Sequence, residues 1–426
     1  MEPLYNALRK NPHISAWKVN AVHCESCELF YVQKKVETNR ATSTEDYNVT
    51  VYVDKDGKRG QSTFGVYAYM NEEEITALIE ENVFAAGFTL NAYFDLPHPV
   101  DTKFPEAKTN LSDVPFNALI GKIGEAIMKA NDVENASLSA TEIFLYKKIR
   151  RVVNSNGVDV SATSYECQIE TIPNFVNGKE EVELYQALSF GSFSPEELTK
   201  QVAEAIALVK DRAHAIPMPK VDELPVIIQD QEVEEVLWAI ADDLDYGTAY
   251  HKSNVYEPGQ NLQENREGDP LNITLVPFAP GALASRYVDN DGVVLKDVSI
   301  IEDGVAKSRF GSYQYGFYLG EKNPTGVLPV LTLKSGSKSF AELTKKPYVR
   351  CVRFSGIQAD MQSGFLGGEV RLGYYFDGEK EIPVTGFSIQ ADFGKAIASF
   401  LASKETMVRD TYAGPKYLFI PGVKIV

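Results

Sequence analysis

Metal ligands and cross-linking residues are scarce in this sequence. Its 426 residues include four cysteines and five histidines, too few and too scattered for a disulfide framework and in keeping with a reducing compartment. Long apolar runs are missing, so no segment approaches the roughly 20 residues that span a bilayer. The first residues also lack the basic, apolar and small-residue order of a signal peptide. A cytoplasmic protein without membrane contact is expected. Basic charge is in deficit as well: 42 Lys and Arg stand against 59 Asp and Glu, a formal net charge of −17. Phosphate backbones are bound by clustered Lys and Arg that release counterions, so this balance argues against a nucleic-acid partner. The densest basic run, Lys147-Lys148-Ile149-Arg150-Arg151, lies in a strand-like segment and reads as a solvated face. No Gly-x-Ser-x-Gly elbow is present, and no nucleophilic triad can be identified.

What is there is an ordinary globular composition, 44% hydrophobic and 24% charged, over a length that suggests two domains. A helix is expected at residues 1–10. Strands at 14–22 and 29–35 flank His23-Cys24-Glu25-Ser26-Cys27, which reads as a turn. Alternation in 47–53, the turn Asp54-Lys55-Asp56-Gly57 and a return strand at 62–69 predict a hairpin. Asn71 and Glu74 form a capping box for a helix with Ile75, Leu78, Ile79 and Val83 on one face, ending at Gly87. The segment 91–111, with Pro97, Pro99 and Pro105, reads as irregular, and a helix follows at 114–130. Strands at 142–153 and 158–171 are joined by Asn154-Ser155-Asn156-Gly157, a further strand covers 181–190, and Ser194-Pro195 opens a helix to His214. Pro217, Pro219 and Pro225 mark a linker. We therefore expect an α+β fold of two domains, a hairpin-and-helix domain at 1–220 and a β-rich domain at 221–426.

The second domain opens on Pro225-Val226-Ile227-Ile228, a buried-type strand, followed by a helix at 231–244 with Val233, Val236, Leu237, Ile240 and Leu244 at helical spacing and Gly247 as its stop. Setting Ser253-Asn254-Val255-Tyr256 on the Ser-rich stretch that follows a His-Glu-x-x-x-His zinc motif places that motif on residues 237–242, here Leu237-Trp238-Ala239-Ile240-Ala241-Asp242. In this context the chain resembles the TldD/PmbA family, the modulators of DNA gyrase. Further marks are the Asn154–Gly157 turn, Ser285-Arg286-Tyr287-Val288-Asp289-Asn290-Asp291-Gly292, Ile301-Glu302-Asp303-Gly304, and Ser363-Gly364 with Asp377-Gly378-Glu379 and Pro383-Val384. Both histidines and the glutamate of the zinc motif are replaced, and no cysteine ligand stands near Tyr412-Ala413-Gly414. Leu and Trp offer no ligand and no base, and Asp242 alone makes no site.

The resemblance thus implies the family's PmbA/TldE-like branch: a subunit without metal or catalytic residues, with zinc expected only in a TldD-like peptidase partner. A homodimer is the other pairing expected. The assembly would act on unfolded or small peptides, in peptide maturation or antitoxin degradation, and Ser363, Gly364, Gly367 and Gly368 are the candidate peptide-binding residues. Two other classes stay open. One is a self-sufficient hydrolase built on His23, Cys24 and Cys27, although that cluster lacks a second ligand pair. The other is a gyrase modulator acting by direct contact. Asp242, Asp243 and Asp245 crowd a helix C-terminus, where the dipole disfavours them, and read as a solvated acidic end.

Overall fold

The computed structural model describes residues 2–102, 104, 109–131, 133–178 and 180–426. Met1 and Pro105, placed by sequence in the first helix and in the irregular connection, lie outside the described residues. The chain opens with α1 (Glu2–Lys10), β1 (Ala16–Val32), β2 (Lys35–Lys55), β3 (Lys58–Tyr67), α2 (Glu72–Ala86) and β4 (Leu90–Ala92). It continues through α3 (Phe116–Ala130), β5 (Ala136–Asn154), β6 (Asp159–Asn177), β7 (Glu180–Glu183), β8 (Gln186–Phe190) and α4 (Pro195–Ala213). These strands form one antiparallel sheet in the order β4-β3-β2-β1-β5-β6-β7, with β8 also on β6. Odd-numbered β1 residues face the helices along the whole strand: Trp17 and Val19 pack under α1 and α2, and Leu29 packs under α3 and α4. Helices cover one face of the sheet, while the other buries Ser26 and Glu28 and meets the second half of the chain at Lys18 and Val158.

Local signals explain most of these elements. Asp56 and Gly57, with φ of 54° and 74°, make the two-residue β2–β3 turn. The α2 capping box is formed in both directions between Asn71 and Glu74, and Ser194 caps α4 with Pro195 in its first turn. Gly87 does end α2, in a right-handed conformation. Other expectations are corrected. Residues 23–27 are no turn, because β1 runs straight through them, paired on both sides with β2 and β5. The chain reverses instead at Gln33 and Lys34 and returns as a β2 that starts at Lys35. Residues 35–46 are exposed throughout, so no hydrophobic alternation announces them.

The second half contains β9 (Ile216–Pro217), β10 (Glu223–Gln229), α5 (Gln231–Asp242), α6 (Tyr246–Tyr250), β11 (Ile273–Val276), β12 (Val298–Glu302) and β13 (Val305–Ala306). Then come α7 (Tyr313–Tyr318), β14 (Val330–Leu333), α8 (Phe340–Leu343), β15 (Tyr348–Asp360), β16 (Phe365–Phe376) and β17 (Glu381–Thr385). The chain closes with β18 (Phe387–Asp392), α9 (Phe393–Ser399), β19 (Leu401–Ala402), β20 (Thr406–Val408), β21 (Tyr412–Pro415) and β22 (Tyr417–Ile425). The pairings β15-β10-β22-β18-β16 return to β15, closing a barrel-like circuit that also carries β17, β9 and β19. A separate sheet runs β13-β12-β11-β14-β21-β20. The architecture is therefore α+β. The proline-rich stretch before β10 is not wholly irregular, since Ile216 and Pro217 pair with β17. Gly386 (φ 72°) separates β17 from β18, which pair with different parts of β16.

One core joins the two sheets of this half. Val233, Val236, Leu237 and Ile240 of α5 share it with Val226 and Ile228 of β10, Ile273 and Leu275 of β11, and Leu331 of β14. Each such fully buried aliphatic side chain stabilises the fold by roughly 1.5–3 kcal/mol. The helix is thereby fixed between the sheets, which positions its remaining face toward solvent.

Candidate functional site

The site is organised by α5 and by the β15–β16 hairpin beside it. Strand β10 passes into α5 through Asp230, which holds a positive φ of 54° at the strand-to-helix turn. On α5, Leu237 is 1% exposed and belongs to the core. Trp238 donates its indole N–H to Thr411 Oγ1 at 2.9 Å. Thr411 Oγ1 bonds in turn to Glu234 of the same helix, and Arg409 Nε reaches Glu234 Oε2 at 3.2 Å. This face of α5 is thus tied to the segment before β21. Asp242 is exposed at the last turn, and its carboxyl is held above the usual range by desolvation and by the charge of Asp245. Contact with water moderates that shift.

Of the three acids at this end Asp242 is solvated, but Asp243 and Asp245 are not. Asp243 is 4% exposed, and its carboxylate accepts the backbone N–H groups of Val255 at 2.7 Å and Tyr256 at 2.8 Å. Asp245 caps α6, accepting the Gly247 N–H at 2.6 Å. Gly247, expected as the stop of the first helix, lies inside this second one, and α5 ends at Asp242. Asp243 and Asp245 therefore satisfy backbone donors that a helix break would leave unpaired, which offsets their unfavourable place at the α5 dipole.

Beside α5 opens a cleft of about 820 Å³ lined by Glu235, residues 357–360 of β15, Ser363 and Phe365. Its far end is bounded by the hairpin loop, where Gln362 donates from its side chain to the Ser253 carbonyl. Of the four candidate peptide residues, Ser363 lines the cleft and Gly364 (φ 67°) makes the adjacent turn. Gly367 and Gly368 do not offer a free strand edge. Gly367 is paired with Gln358 of β15 and Gln390 of β18, and Gly368 with Ile357 and Ile389. A Cβ on Gly367 would lie 2.5 Å from Ile389 O, and one on Gly368 2.4 Å from Gly356 O. The close approach that excludes a side chain there is made by the chain's own strands. The available edge is on β15. Its pairing with β10 covers only Val349–Cys351, so among the described residues its outer side toward Asp360 has no strand partner. Sequence reasoning missed this edge because it depends on where a distant strand stops.

Residues 221–426 match the family model of the PmbA/TldA metallopeptidase C-terminal domain. This half of the chain carries the C-terminal domain of the TldD/PmbA family. Over its whole length the TldD/PmbA fold is shared with TldE from Thermococcus kodakarensis, at a TM-score of 0.81 and 15% identity, covering 100% of both chains. A Thermotoga maritima protein named as a candidate modulator of a DNA gyrase gives 0.78 at 17% identity, covering 100% of this chain and 99% of that one. Another so named, from Bacteroides thetaiotaomicron, gives 0.82 at 14% identity, covering 100% and 97%. No curated protein matches the sequence.

A zinc site of the kind implied by TldD/PmbA membership does not fit the residues at 237–242. Leu237 points into the core, Trp238 is a donor only and is engaged with Thr411, and Asp242 is the one ligand type left. Among the described residues no group of three or more His, Cys, Asp or Glu is placed to hold a metal ion. The His23, Cys24 and Cys27 cluster is likewise not brought together. In the extended β1 backbone Cys24 and Cys27 point to opposite faces, Cys27 toward the helices. Burial pushes both thiols up, away from the thiolate a nucleophile needs.

The Asn154–Gly157 turn and the 285–292 segment instead meet at the join between the two halves. Gly292 (φ 91°) passes so close to the Asn154–Gly157 turn that a Cβ would lie 2.8 Å from Val158 Cγ1. Asp289, 1% exposed, holds this loop by accepting the N–H groups of Asp291, Val293 and Val327. Lys18 of β1 reaches Asp291 at 2.5 Å.

Proposed function

We propose that this chain is a PmbA/TldE-like subunit that binds extended peptides and leaves hydrolysis to a TldD-like zinc peptidase. The observation that carries this reading is the state of α5, whose residues at the zinc-motif positions are spent on packing and on the Thr411 bond. The likeness in fold to a protein named TldE supports the same assignment. The unpaired outer side of β15, set in the cleft beside Glu235, gives an extended peptide main-chain partners without reading its sequence. Substrates of that kind are unfolded or small peptides. Gyrase modulation by direct contact would need an acidic surface that mimics DNA, and the Asp and Glu residues are spread along the chain rather than spaced like phosphates.

The test is binding of a fluorescently labelled unstructured peptide, followed by anisotropy. Strand addition uses the peptide's own N–H groups, so methylating alternate backbone nitrogens should weaken binding by roughly tenfold or more, through loss of several hydrogen bonds. Scrambling the sequence should change it little. Binding that ignores methylation, or no binding, would overturn the β15 assignment. In a parallel assay the chain alone should cleave no peptide, and hydrolysis should appear only when a TldD-like peptidase is added.

A further inference from the structure

The basic run Lys147-Lys148-Ile149-Arg150-Arg151 on β5 is neutralised at every charged position but one. Lys147 pairs with Glu25, Lys148 with Glu166 and Arg151 with Asp159. Among the described residues Arg150 has no acid within ion-pair distance, and its guanidinium makes one hydrogen bond, to Ser164 Oγ at 3.4 Å. A second unpaired arginine stands near it, on the other half of the chain. Arg286 belongs to the 285–292 segment, where a Cβ on Gly292 would lie 3.6 Å from Val152 Cγ1, and Val152 shares a strand face with Arg150.

The guanidinium of Arg286 makes one hydrogen bond, to the Val327 carbonyl at 3.4 Å, and its Nε–H is buried without an acceptor among the described residues. A charged donor shut away from water in this way is costly, and folded proteins rarely keep one without a use for it. The neighbouring acids are committed elsewhere. Asp289 accepts the backbone N–H groups of Asp291, Val293 and Val327, and Asp291 holds Lys18. Burial draws the Arg286 guanidinium below its usual range, Asp289 opposes this from beyond ion-pair distance, and the charge of Arg150 adds to it. The position of Arg286 is also fixed. Its backbone N–H donates to Pro277 O at 2.8 Å, and Tyr287 beside it is stacked between Phe104 and Phe278.

We infer that Arg150 and Arg286 form an oxyanion site at the join between the two halves, one that takes the carboxylate of a peptide terminus or a free phosphate. A planar guanidinium offers parallel N–H donors to either group, and the orphaned Nε–H of Arg286 is a donor that such bidentate binding uses. Arg150, exposed on β5, supplies the second charge. The site rests on these two arginines and is independent of the peptide-binding reading of β15.

The test follows the arginine Nε–H signals of the full chain, isotope-labelled at arginine, by nuclear magnetic resonance. Acetyl-triglycine as the free acid, the same peptide as its amide, and inorganic phosphate are titrated in turn. The Arg286 signal should move saturably with the acid or with phosphate and stay in place with the amide. Movement with the acid alone identifies a peptide terminus as the occupant, and movement with phosphate a free oxyanion; either sustains the site. Arg150→Gln, at an exposed strand position, should weaken binding roughly tenfold by removing a charged hydrogen-bond donor. Arg286→Lys keeps the charge but loses the fork, and should weaken it by a similar factor. The inference is overturned if neither anion moves the signal, if the amide moves it as the acid does, or if sodium chloride at equal ionic strength reproduces the shift. Binding that Arg150→Gln leaves unchanged would overturn it as well. Should Arg286→Lys fail to fold, Arg150→Gln and the acid–amide pair decide alone.

Discussion

Trp238 on α5 donates its indole N–H to Thr411 Oγ1 at 2.9 Å, and Thr411 bonds to Glu234 one turn earlier on the same helix. The helix that would carry a catalytic metal in a zinc peptidase is here stitched to the segment entering β21. Trp238→Phe keeps most of the ring's packing and removes this bond. It should cost about 1 kcal/mol in urea denaturation. Thr411→Val should cost more, because it leaves the Trp238 donor unpaired and removes one of the bonds to the Glu234 carboxylate, which keeps Arg409 and the Thr411 N–H.

Gly368 lies between two strands, with Gly356 O only 2.4 Å from where a Cβ would be. The obstacle is backbone, which cannot rotate away. Gly368→Ala should destabilise the chain by roughly 2–3 kcal/mol, in the range of overpacked cores. Gly364→Ala meets no atom within 4 Å and should cost only the strain of its positive φ. The two midpoints in chemical denaturation should differ accordingly.

Burial pushes the Glu232 carboxyl from 4.5 up to about 7, opposed by Arg353 and reinforced by Glu235 and Asp230. The folded state therefore holds this proton more tightly than the unfolded chain. Its contribution to stability is full below about pH 4.5 and is lost as pH rises through about 7. The loss is at most on the order of 3 kcal/mol. Glu232→Gln should flatten the fall in unfolding free energy between pH 5 and pH 8 relative to the wild type, read by urea titrations across that window.

Asp243 accepts both the Val255 and the Tyr256 amides. Asp243→Ala should release the loop at residues 253–256 from the end of α5. Hydrogen exchange of these two amides should accelerate by at least tenfold, while amides of β10 keep their protection.

How far these features were legible in the sequence depended on whether a short stretch decided them. The Asn71 and Glu74 pair, the Asp56-Gly57 turn and the apolar face of α5 are local, and each forms where the residue pattern indicates. The continuous β1 was not legible. Residues 23–27 are polar and carry turn-like residues, yet pairing with β2 and β5 on both sides holds them extended. Tertiary pairing overrode local preference. The same holds for the site: the loss of ligands at Leu237 and Trp238 can be read from residue types, but the burial of Asp243 and the free edge of β15 depend on contacts more than ten residues away.

The central claim is that α5 cannot hold a catalytic zinc ion. The most direct test is the zinc content of the full chain, purified without chelator, incubated with zinc, dialysed and measured by elemental mass spectrometry. The account predicts a value near zero per chain, because Leu237 and Trp238 offer no lone pair and Asp242 stands alone. A value near one per chain, abolished by Asp242→Ala, would contradict it.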